Sequence, residues 1–403
     1  MAVAGRHSVR REVLGRKKPA MTKFLRRYLT GTAASLMLVA AASTEGAGAL
    51  AAPGVRPAFG QAFAGRLYGT AATSAGNVWA VGLNGCCGLI IHFNGSTWTQ
   101  DPVSPTGFFD GVAAVSAKDA WAVGGTSWFG TDPMIYHWNG TVWTKVTVPA
   151  PSAGGFLTSV TAPSAANAWA VGATGGGPGD GNGPGEDALI YHWNGHRWTR
   201  VPAPAPGPAS QLQGVSAISA SDAWAVGWTG YNASNGTIRT FIVHWDGRTW
   251  TRVPSPSGKP GVRADLEGVV ALSADDAWAA GSQHEDRNRL VFVLHWNGRT
   301  WRKVHSPTPG MGGNLLGIGA SSPDNVWAVG QGSVNGGCSD GCQPTIVHWN
   351  GSRWNVVTDP AGLRGGLNIL FTVAATSARN AWAVGTSAYG TTLEAHWNGR
   401  AWS

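Results

Sequence analysis

The sequence predicts an all-β protein, a seven-bladed β-propeller with four antiparallel strands in each blade. One unit occurs seven times, and its first fixed residue is Trp79, Trp121, Trp169, Trp224, Trp278, Trp327 or Trp382. A His follows, at His92, His137, His192, His244, His295, His348 and His396. Six residues later comes a second Trp, at Trp98, Trp143, Trp198, Trp250, Trp301, Trp354 and Trp402. Repeats of this length, with 59 Gly and 12% charged residues, favour short strands joined by tight turns.

Each unit contains four segments that indicate short strands. The first strand is apolar, as at residues 111–116, and the second is Ala-Trp-Ala-Val-Gly, as at residues 223–227. The third is seen as Leu-Ile-Tyr-His-Trp at residues 189–193, and the fourth as Trp-Thr-Lys-Val at residues 143–146. An Asn-Gly pair before the fourth strand predicts a type I′ hairpin turn, because both residues tolerate a positive φ.

The second strand explains why the units form a ring. Side chains alternate between the two faces of a strand, so Trp224 and Val226 share one face while Ala225 and Gly227 share the other. A sheet with one bulky and one small face buries itself by stacking on its neighbour. Seven stacked sheets then close around an axis and leave few exposed edges.

These residues resemble a known kind of repeat. Asp-Ala-Trp-Ala-Val-Gly, followed by Ile-Tyr-His-Trp-Asn-Gly-Thr-Val-Trp at residues 135–143, resembles a kelch repeat of the galactose-oxidase type of propeller. The Gly pair of that pattern is present only as Gly124-Gly125, and its Tyr only at Tyr136 and Tyr191. The turn before the second strand is similar to the Asp-box of sialidase-like propellers, but shorter and without its Ser/Thr. The resemblance covers residues 67–402; it implies the fold and no activity.

Residues 1–51 are predicted to be a secretory leader. Lys23, Arg26 and Arg27 precede an apolar run at residues 33–42, which is too short to span a bilayer, and cleavage is expected near Ala51. The mature protein is therefore expected outside the cell, as in secreted bacterial proteins. Residues 1–52 carry a net charge of +7 and the rest only +1, so no nucleic-acid partner is predicted. The export route and the true start, Met1 or Met21, stay open.

The two ends of the repeat suggest how the ring closes. The seventh unit stops at Ser403, where the other copies continue with a fourth strand. Residues 55–59 resemble the missing piece. We expect the N-terminal segment, residues 52–66, to complete or cover the last blade, with the propeller spanning residues 67–403.

The four cysteines form two local pairs, Cys86 with Cys87 and Cys338 with Cys342. Outside the cytoplasm such pairs tend to oxidise, so we predict disulfides, with the pairing left open. A structural zinc site is the less favoured alternative, because it requires C-x2-C spacing.

The candidate binding surface is the face of the disc on which the loops vary in length. The second-strand Trp and the His are 13 to 23 residues apart, and the blade-to-blade connections also vary, whereas the other two turns are constant. Alternate connections of a blade lie on the same face, so the variation is confined to one face, here called the variable face. Variable loops on a rigid scaffold are where binding surfaces are built.

Aromatic residues in the variable loops are the candidate ligand contacts. Trp128 and Trp228 are the only Trp outside the repeat, and Phe129 and Tyr231 lie beside them. The predicted blade-to-blade loops add Phe108, Phe109 and Phe156. Exposed rings would stack on sugars or on peptide side chains. The alternative is that these rings fold back onto the rim of the propeller.

No metal and no cofactor are predicted. The seven His lie in separate blades, too far apart to meet on one ion, so a repeated structural hydrogen bond is expected for each. The Asp or Asn two residues before each second-strand Trp is expected to be a turn residue. The Gly-rich loop at residues 173–187 carries carboxylates, but their spacing does not match a calcium loop.

No catalytic residue can be assigned. The resemblance to galactose oxidase would require a copper site with a Tyr–Cys crosslink, yet the Cys occur only as two local pairs. Carboxylates paired across blades cannot be recognised in a sequence. The first to inspect are Glu186, Asp187, Glu285 and Asp286.

Three functions are compatible with this sequence. The first is a secreted, monomeric, non-catalytic binding propeller, with a glycan or a cell-surface protein bound to the variable face near blades two to four. The alternative is an extracellular carbohydrate-active enzyme, and the third is a structural surface protein. A charge-lined pocket at the mouth of the central channel would favour the enzyme, and a shallow aromatic face would favour binding.

Overall fold

The computed structural model describes ten segments of the chain: residues 62–127, 132–175, 187–204, 209–232, 237–258, 261–285, 288–308, 312–333, 342–357 and 368–403. They form seven antiparallel sheets, and the strand order in each sheet follows the order along the chain. The described segments contain no helix, and hence none that could cross a membrane. The predicted seven-bladed propeller is confirmed.

Blades 1 to 4 have four strands each. Blade 1 consists of β1 (Arg66–Ser74), β2 (Asn77–Asn84), β3 (Cys87–Phe93) and β4 (Trp98–Gln100). Blade 2 consists of β5 (Phe108–Ser116), β6 (Asp119–Gly125), β7 (Pro133–Trp138) and β8 (Trp143–Val146). Blade 3 consists of β9 (Gly155–Ser164), β10 (Asn167–Thr174), β11 (Ala188–Trp193) and β12 (Trp198–Arg200). Blade 4 consists of β13 (Ser210–Ser219), β14 (Asp222–Asn232), β15 (Thr237–Trp245) and β16 (Trp250–Arg252).

Blade 7 departs from the four-stranded pattern of the other blades. Blade 5 consists of β17 (Ala264–Ser273), β18 (Asp276–Glu285), β19 (Asn288–Trp296) and β20 (Trp301–Val304). Blade 6 consists of β21 (Gly312–Ser322), β22 (Asn325–Ser333), β23 (Cys342–Trp349) and β24 (Trp354–Val356). Blade 7 has β25 (Ile369–Ser377), β26 (Asn380–Thr386) and β27 (Thr392–Trp397). A single bridge from Trp397 to Trp402 stands in the place of its fourth strand.

Each second-strand Trp packs between its own blade and the next. The ring of Trp224 in blade 4 lies 4.9 Å from that of Trp296 and 5.2 Å from that of Trp301, both in blade 5. Ala277 and Ala279, on the small face of the blade 5 second strand, belong to the same buried cluster. The bulky face of one sheet therefore fills the space left by the small face of its neighbour, as the alternation predicts.

The ring is closed by the same contact between blades 7 and 1. Trp382 of blade 7 lies with its ring 4.8 Å from Phe93 and 5.4 Å from Trp98 of blade 1. The chain before β1 adds backbone hydrogen bonds, because the N–H of Thr392 donates to Phe63 O at 2.8 Å. Residues 55–59 lie outside the described segments, so completion of the last blade by them stays a prediction.

The turns before the fourth strands are hairpin turns, as predicted, but they are not of the predicted type I′. A type I′ turn needs a positive φ at both central residues, and only the Gly has one, as at Gly140. Asn139 instead accepts hydrogen bonds through Oδ1 from the N–H groups of Thr141 and Val142, each at 3.0 Å. The Asn thus caps the turn with its side chain.

Candidate functional site

The first strand of every blade carries an irregularity at the same position. In β5 the pairing with β6 runs from Phe109–Gly124 to Gly111–Val123, so Asp110 has no partner in the ladder. The equivalent unpaired residues of the seven blades are Tyr68, Asp110, Thr158, Gln213, Glu267, Leu316 and Phe371. A β-bulge bends its strand and re-aims a side chain, and bulges are frequent next to active sites.

These seven bulge residues form one ring around the axis, here called the channel ring. Neighbours in the ring contact each other across blade boundaries: Gln213 Nε2 donates to Glu267 Oε2 at 2.9 Å, and the rings of Tyr68 and Phe371 meet edge-on at 5.1 Å. Each member is half-buried, although the residues on either side of it are mostly fully buried. The half-buried side chains therefore line the central channel.

The innermost strands of neighbouring blades are packed backbone against backbone. A Cβ on Gly111 would lie 2.9 Å from the Cα of Ser159 in the next blade, and one on Gly317 would lie 2.5 Å from that of Thr372. Both distances are too short for any side chain. Five blades have a Gly after the bulge, which allows this close approach, and blades 3 and 7 have Ser159 and Thr372 there.

The channel ring lies close to the mouth on the variable face. The first strand of a blade begins on that face, where the blade-to-blade connections lie, and Asp110 is the third residue of β5. Two residues of strand span about 7 Å. The ring is therefore within reach of a group that enters from the variable loops.

Two carboxyl groups of the channel ring ionise with difficulty. Burial raises the pKa of Asp110 to about 8, because the side chain is surrounded by protein except toward the channel. Burial, and secondly the charge of Asp265, raise the pKa of Glu267 to about 7. No described group donates a hydrogen bond to Asp110. Its carboxyl therefore reaches the channel without a partner of its own.

Glu267 belongs to a buried polar network, which sets it apart from Asp110. Asp265 is 2% exposed, and its carboxylate lies 3.7 Å from Arg263 and 3.6 Å from Arg289. Burial opposes ionisation of Asp265, yet the guanidinium groups of Arg289 and Arg263 hold the pKa of this carboxyl below its usual value. Ser282 Oγ donates to Asp265 at 2.6 Å. The charges of this network are thus compensated within the protein.

The aromatic residues that the sequence predicts to be exposed ligand contacts on the variable face are buried or half-buried wherever the structure describes them. Trp228 is 6% exposed and packs with Ala209 and Ile238, with the half-buried Tyr231 against the same cluster. Its predicted exposure is wrong, because its strand, β14, extends through this position and the ring folds back onto the sheet. Trp128 and Phe129 lie outside the described residues.

The three Phe residues assigned to blade-to-blade loops are also buried. Phe108 and Phe109 begin β5, Phe156 is the second residue of β9, and all three are at most 2% exposed. Their loop assignment is wrong, because the first strands begin earlier than the apolar segments suggested. Among the described residues, the strongly exposed aromatic of the variable face is Tyr389, at 92% exposure, in the turn between β26 and β27.

The described residues include only some of the cysteines predicted to form disulfides and only some of the carboxylates to inspect. The sulfur atoms of Cys86 and Cys87 are 2.7 Å apart, as two thiols. The side chains of Cys338 and Cys342 lie outside the described ones, so oxidation of both pairs stays a prediction. Of the carboxylates to inspect, Asp187 is exposed and Glu285 half-buried. Glu186 and Asp286 also lie outside the described residues.

The seven repeat His form the expected structural hydrogen bonds. His244 Nε2 lies 2.9 Å from Asp222 Oδ1, with its ring against Trp224 at 4.2 Å. The equivalent pairs of the other blades have distances of 2.7 to 2.9 Å. The Asp or Asn before the second strand thus holds the His. The described residues hold no group of three or more His, Cys, Asp or Glu suited to a metal ion.

Sequence reasoning missed the channel ring, although a signal for it exists. The segments Phe109-Asp110-Gly111-Val112 and Leu266-Glu267-Gly268-Val269 share the order apolar, variable, Gly, apolar. In the seven copies the variable place holds residues as different as Tyr, Asp, Gln and Leu between similar neighbours. Aligning the units a few residues further upstream would have shown this position.

Two open clefts lie away from the channel. One, of about 380 Å³, is lined by Asp187, Arg200, Pro202 and Ser210 among others, and borders residues that are not described. The other, of about 390 Å³, is lined by Gln283, Glu285, Phe292 and Lys303 among others. Neither contains a polar group as enclosed and unpartnered as Asp110.

Comparison with known proteins identifies the fold and no family. No family model matches the chain, and no curated protein matches it. A structure of YCF48 bound to a D1 peptide has a TM-score of 0.53 at 14% identity, covering 82% of this chain and 92% of that one. Virginiamycin B lyase from Staphylococcus aureus has a TM-score of 0.54 at 13% identity, covering 82% and 97%. YCF48 from Cyanidioschyzon merolae has a TM-score of 0.52 at 15% identity, covering 82% and 96%.

Proposed function

We propose that this protein is a non-catalytic binding propeller whose ligand enters the mouth of the central channel from the variable face and contacts the channel ring. The observation that carries the proposal is the bulge in all seven first strands, which turns one side chain per blade into the channel. The proposed binding face is still the variable face. The residues proposed to contact the ligand are now those of the channel ring, and no longer the aromatic residues of the outer loops.

The composition of the channel ring supports binding rather than a purely structural role. Leu316 and Phe371 show that an apolar residue satisfies the fold at this position, so Asp110 and Glu267 are not needed for folding. Burying a carboxyl without a partner costs free energy. A site that keeps such a group in a channel is explained by a ligand that pairs with it.

The fold neighbours do not choose between binding and catalysis. One is a YCF48 structure that holds a peptide, and another is a lyase. The choice of binding over catalysis rests on the residues that line the channel of this chain. We further propose that the protein is secreted after cleavage near Ala51, that its partner is a glycan or a cell-surface protein, and that its blades are of the kelch type.

Binding can be tested on arrays of glycans and of extracellular peptides. Gln213→Ala and Glu267→Gln should each weaken binding of the captured ligand at least about tenfold, since the first removes a polar side chain at the mouth and the second removes the charge that a carboxyl can carry there. Asp119→Asn, which changes a carboxyl bonded to His137 outside the channel ring, is the matched control and should bind like wild type. Loss of binding in Tyr389→Ala with both channel variants intact would instead place the ligand on the outer loops, and capture of nothing would contradict the proposal.

A carbohydrate-active enzyme is the second candidate, and one observation favours it. Asp110 is protonated at neutral pH, since its pKa is raised to about 8, and a protonated carboxyl beside a channel is what a general acid requires. Reducing ends released from array glycans by wild type, and not by Asp110→Asn, would establish this function in place of pure binding.

A further inference from the structure

The channel ring has two chemically different arcs. Around the axis, Leu316, Phe371 and Tyr68 follow one another in blades 6, 7 and 1 and form an apolar and aromatic arc. Thr158, Gln213 and Glu267 in blades 3 to 5 form a hydrogen-bonding arc. Asp110 lies in blade 2, where the aromatic arc meets the polar one.

The polar arc is largely satisfied within the protein. Thr158 Oγ1 donates to Leu212 O at 2.8 Å, and Gln213 accepts from Gln211 at 2.7 Å and donates to Glu267 at 2.9 Å. Asp110 differs, because its carboxyl forms no hydrogen bond or ion pair with the described residues, and the neighbouring Arg66 is bonded to Tyr68 instead. The missing counter-charge is the clearest unmet requirement of the site.

Asp110 is also adjacent to an aromatic surface. Its charge acts on Tyr68, whose ring meets Phe371 edge-on at 5.1 Å. A carboxylate beside an aromatic wall recognises a cation carried on an apolar stem, since the charge pairs with the acid and the stem covers the rings.

Resting on the proposed function, we propose that the channel ring binds the side-chain ammonium of a lysine presented by a protein partner, with the ammonium on Asp110 and the methylene stem against Tyr68 and Phe371. Of the nearby guanidinium groups, Arg66 is hydrogen-bonded to the side chain of Tyr68. Arg263 and Arg289 are paired with Asp265. A lysine would thus supply the counter-charge that the protein itself withholds from Asp110.

The groups around Asp110 determine how binding depends on pH. Of the strands packed against β5, β1 contributes Arg66 and Tyr68, β3 contributes Cys87 and His92, and β6 contributes Asp119 at its far end. The strands β2 and β9 contribute no ionisable side chain. Glu267 belongs to the same channel ring, and its carboxyl also titrates near neutral pH.

The ammonium probe is N-acetyl-lysine methylamide, and its matched control is N-acetyl-norleucine methylamide, which has the same stem without the charge. Ligand-observed NMR of the full-length protein at pH 8 should show the lysine probe binding at least about tenfold more tightly than the control. With the pKa of Asp110 at about 8, the ionised fraction, and hence the affinity, should rise about fiftyfold from pH 6 to pH 8. A lysine ammonium stays charged over this range.

Asp110→Asn should lower the affinity for the lysine probe at least about tenfold and flatten the pH dependence, while Asp119→Asn keeps both. Equal binding of the two probes, or an unchanged pH profile in Asp110→Asn, would overturn the proposal. Binding of a glucosamine oligomer without binding of the lysine probe would overturn the lysine assignment as well. If the lysine probe fails while Gln213→Ala still abolishes binding of the array ligand, only the cation is wrong and the channel site remains.

Discussion

Trp224 and Trp228 lie in different surroundings on one strand, and both are buried. Trp224 is 1% exposed between blades 4 and 5, and Trp228, four residues along the same strand, is 6% exposed in a small cluster of its own. Tyr389 is the contrasting case, because its ring is almost wholly in solvent. Truncation of these three side chains should therefore affect stability very differently.

We expect Trp224→Ala to lower the free energy of unfolding by about 3–5 kcal/mol, as for other buried aromatic residues. Trp228→Ala should cost about 2–4 kcal/mol, because its cluster is smaller but closed. Tyr389→Ala should stay within about 0.5 kcal/mol of wild type. Chemical denaturation followed by fluorescence measures all three. An unchanged denaturation midpoint for Trp228→Ala would mean that this ring is exposed, as the sequence predicted.

The sequence predicts residue roles wherever the seven copies agree. The Trp and His of the repeat recur at fixed spacing, so their burial and their hydrogen bonds follow from periodicity alone. Asp110 and Glu267 have no such support, because the bulge position tolerates any residue and its direction depends on the ladder around it. Trp228 was misplaced because a single residue outside the repeat carries no periodic signal of strand length.

At the scale of the blade, the contact between blades 7 and 1 contains a residue that the other contacts lack. In the middle of the third strand, six blades have Ile90, Ile135, Ile190, Ile242, Val293 and Ile346, whereas blade 7 has Glu394. Its neighbours Leu393 and Ala395 pack toward blade 6, so alternation turns Glu394 toward blade 1. Glu394 is 5% exposed, and one carboxyl oxygen has no partner among the described residues.

We expect Glu394→Ile to stabilise the protein at pH 8. Burial raises the pKa of Glu394 from 4.5 to about 7, so the ionised side chain costs on the order of 3 kcal/mol at pH 8. The part of this gain that comes from ionisation should vanish at about pH 3, where the carboxyl is protonated in both the folded and the unfolded chain. Glu394→Gln is the control and should give a smaller gain, since a buried amide replaces the acid. A gain of equal size at both pH values would contradict this account.

The architecture was predictable from the sequence because one pattern specifies both the blade and its neighbour. The bulky and small faces of Ala-Trp-Ala-Val-Gly require stacking, and the number of copies sets the number of blades. Blade ends were less predictable. The hydrogen bonds between Phe63 and Thr392 join residues far apart in the chain, so no local pattern reports them.

At the scale of the whole molecule, the buried ionisable groups oppose each other in their effect on stability. Three carboxyl groups, Asp110, Glu267 and Glu394, have pKa values raised by burial to about 8, 7 and 7. Their ionisation therefore favours the unfolded chain, and stability is lost as the pH rises. Four His act in the opposite direction, because burial lowers the pKa values of His92, His192, His348 and His396 below 6.5.

These signs predict an unusual pH profile. Between pH 9 and pH 7.5 the His are largely neutral in both states, so the carboxyls dominate, and the melting temperature should rise as the pH falls and they take up protons. At lower pH the four His protonate first in the unfolded chain, which should oppose the gain from the carboxyls and make the rise less steep. Calorimetry across this range measures the profile. The melting temperature of the triple variant Asp110→Asn, Glu267→Gln, Glu394→Gln should stay nearly constant between pH 9 and pH 7.5. A wild-type melting temperature that is constant, or falls as the pH falls, in this range would show that these carboxyls are ionised without cost.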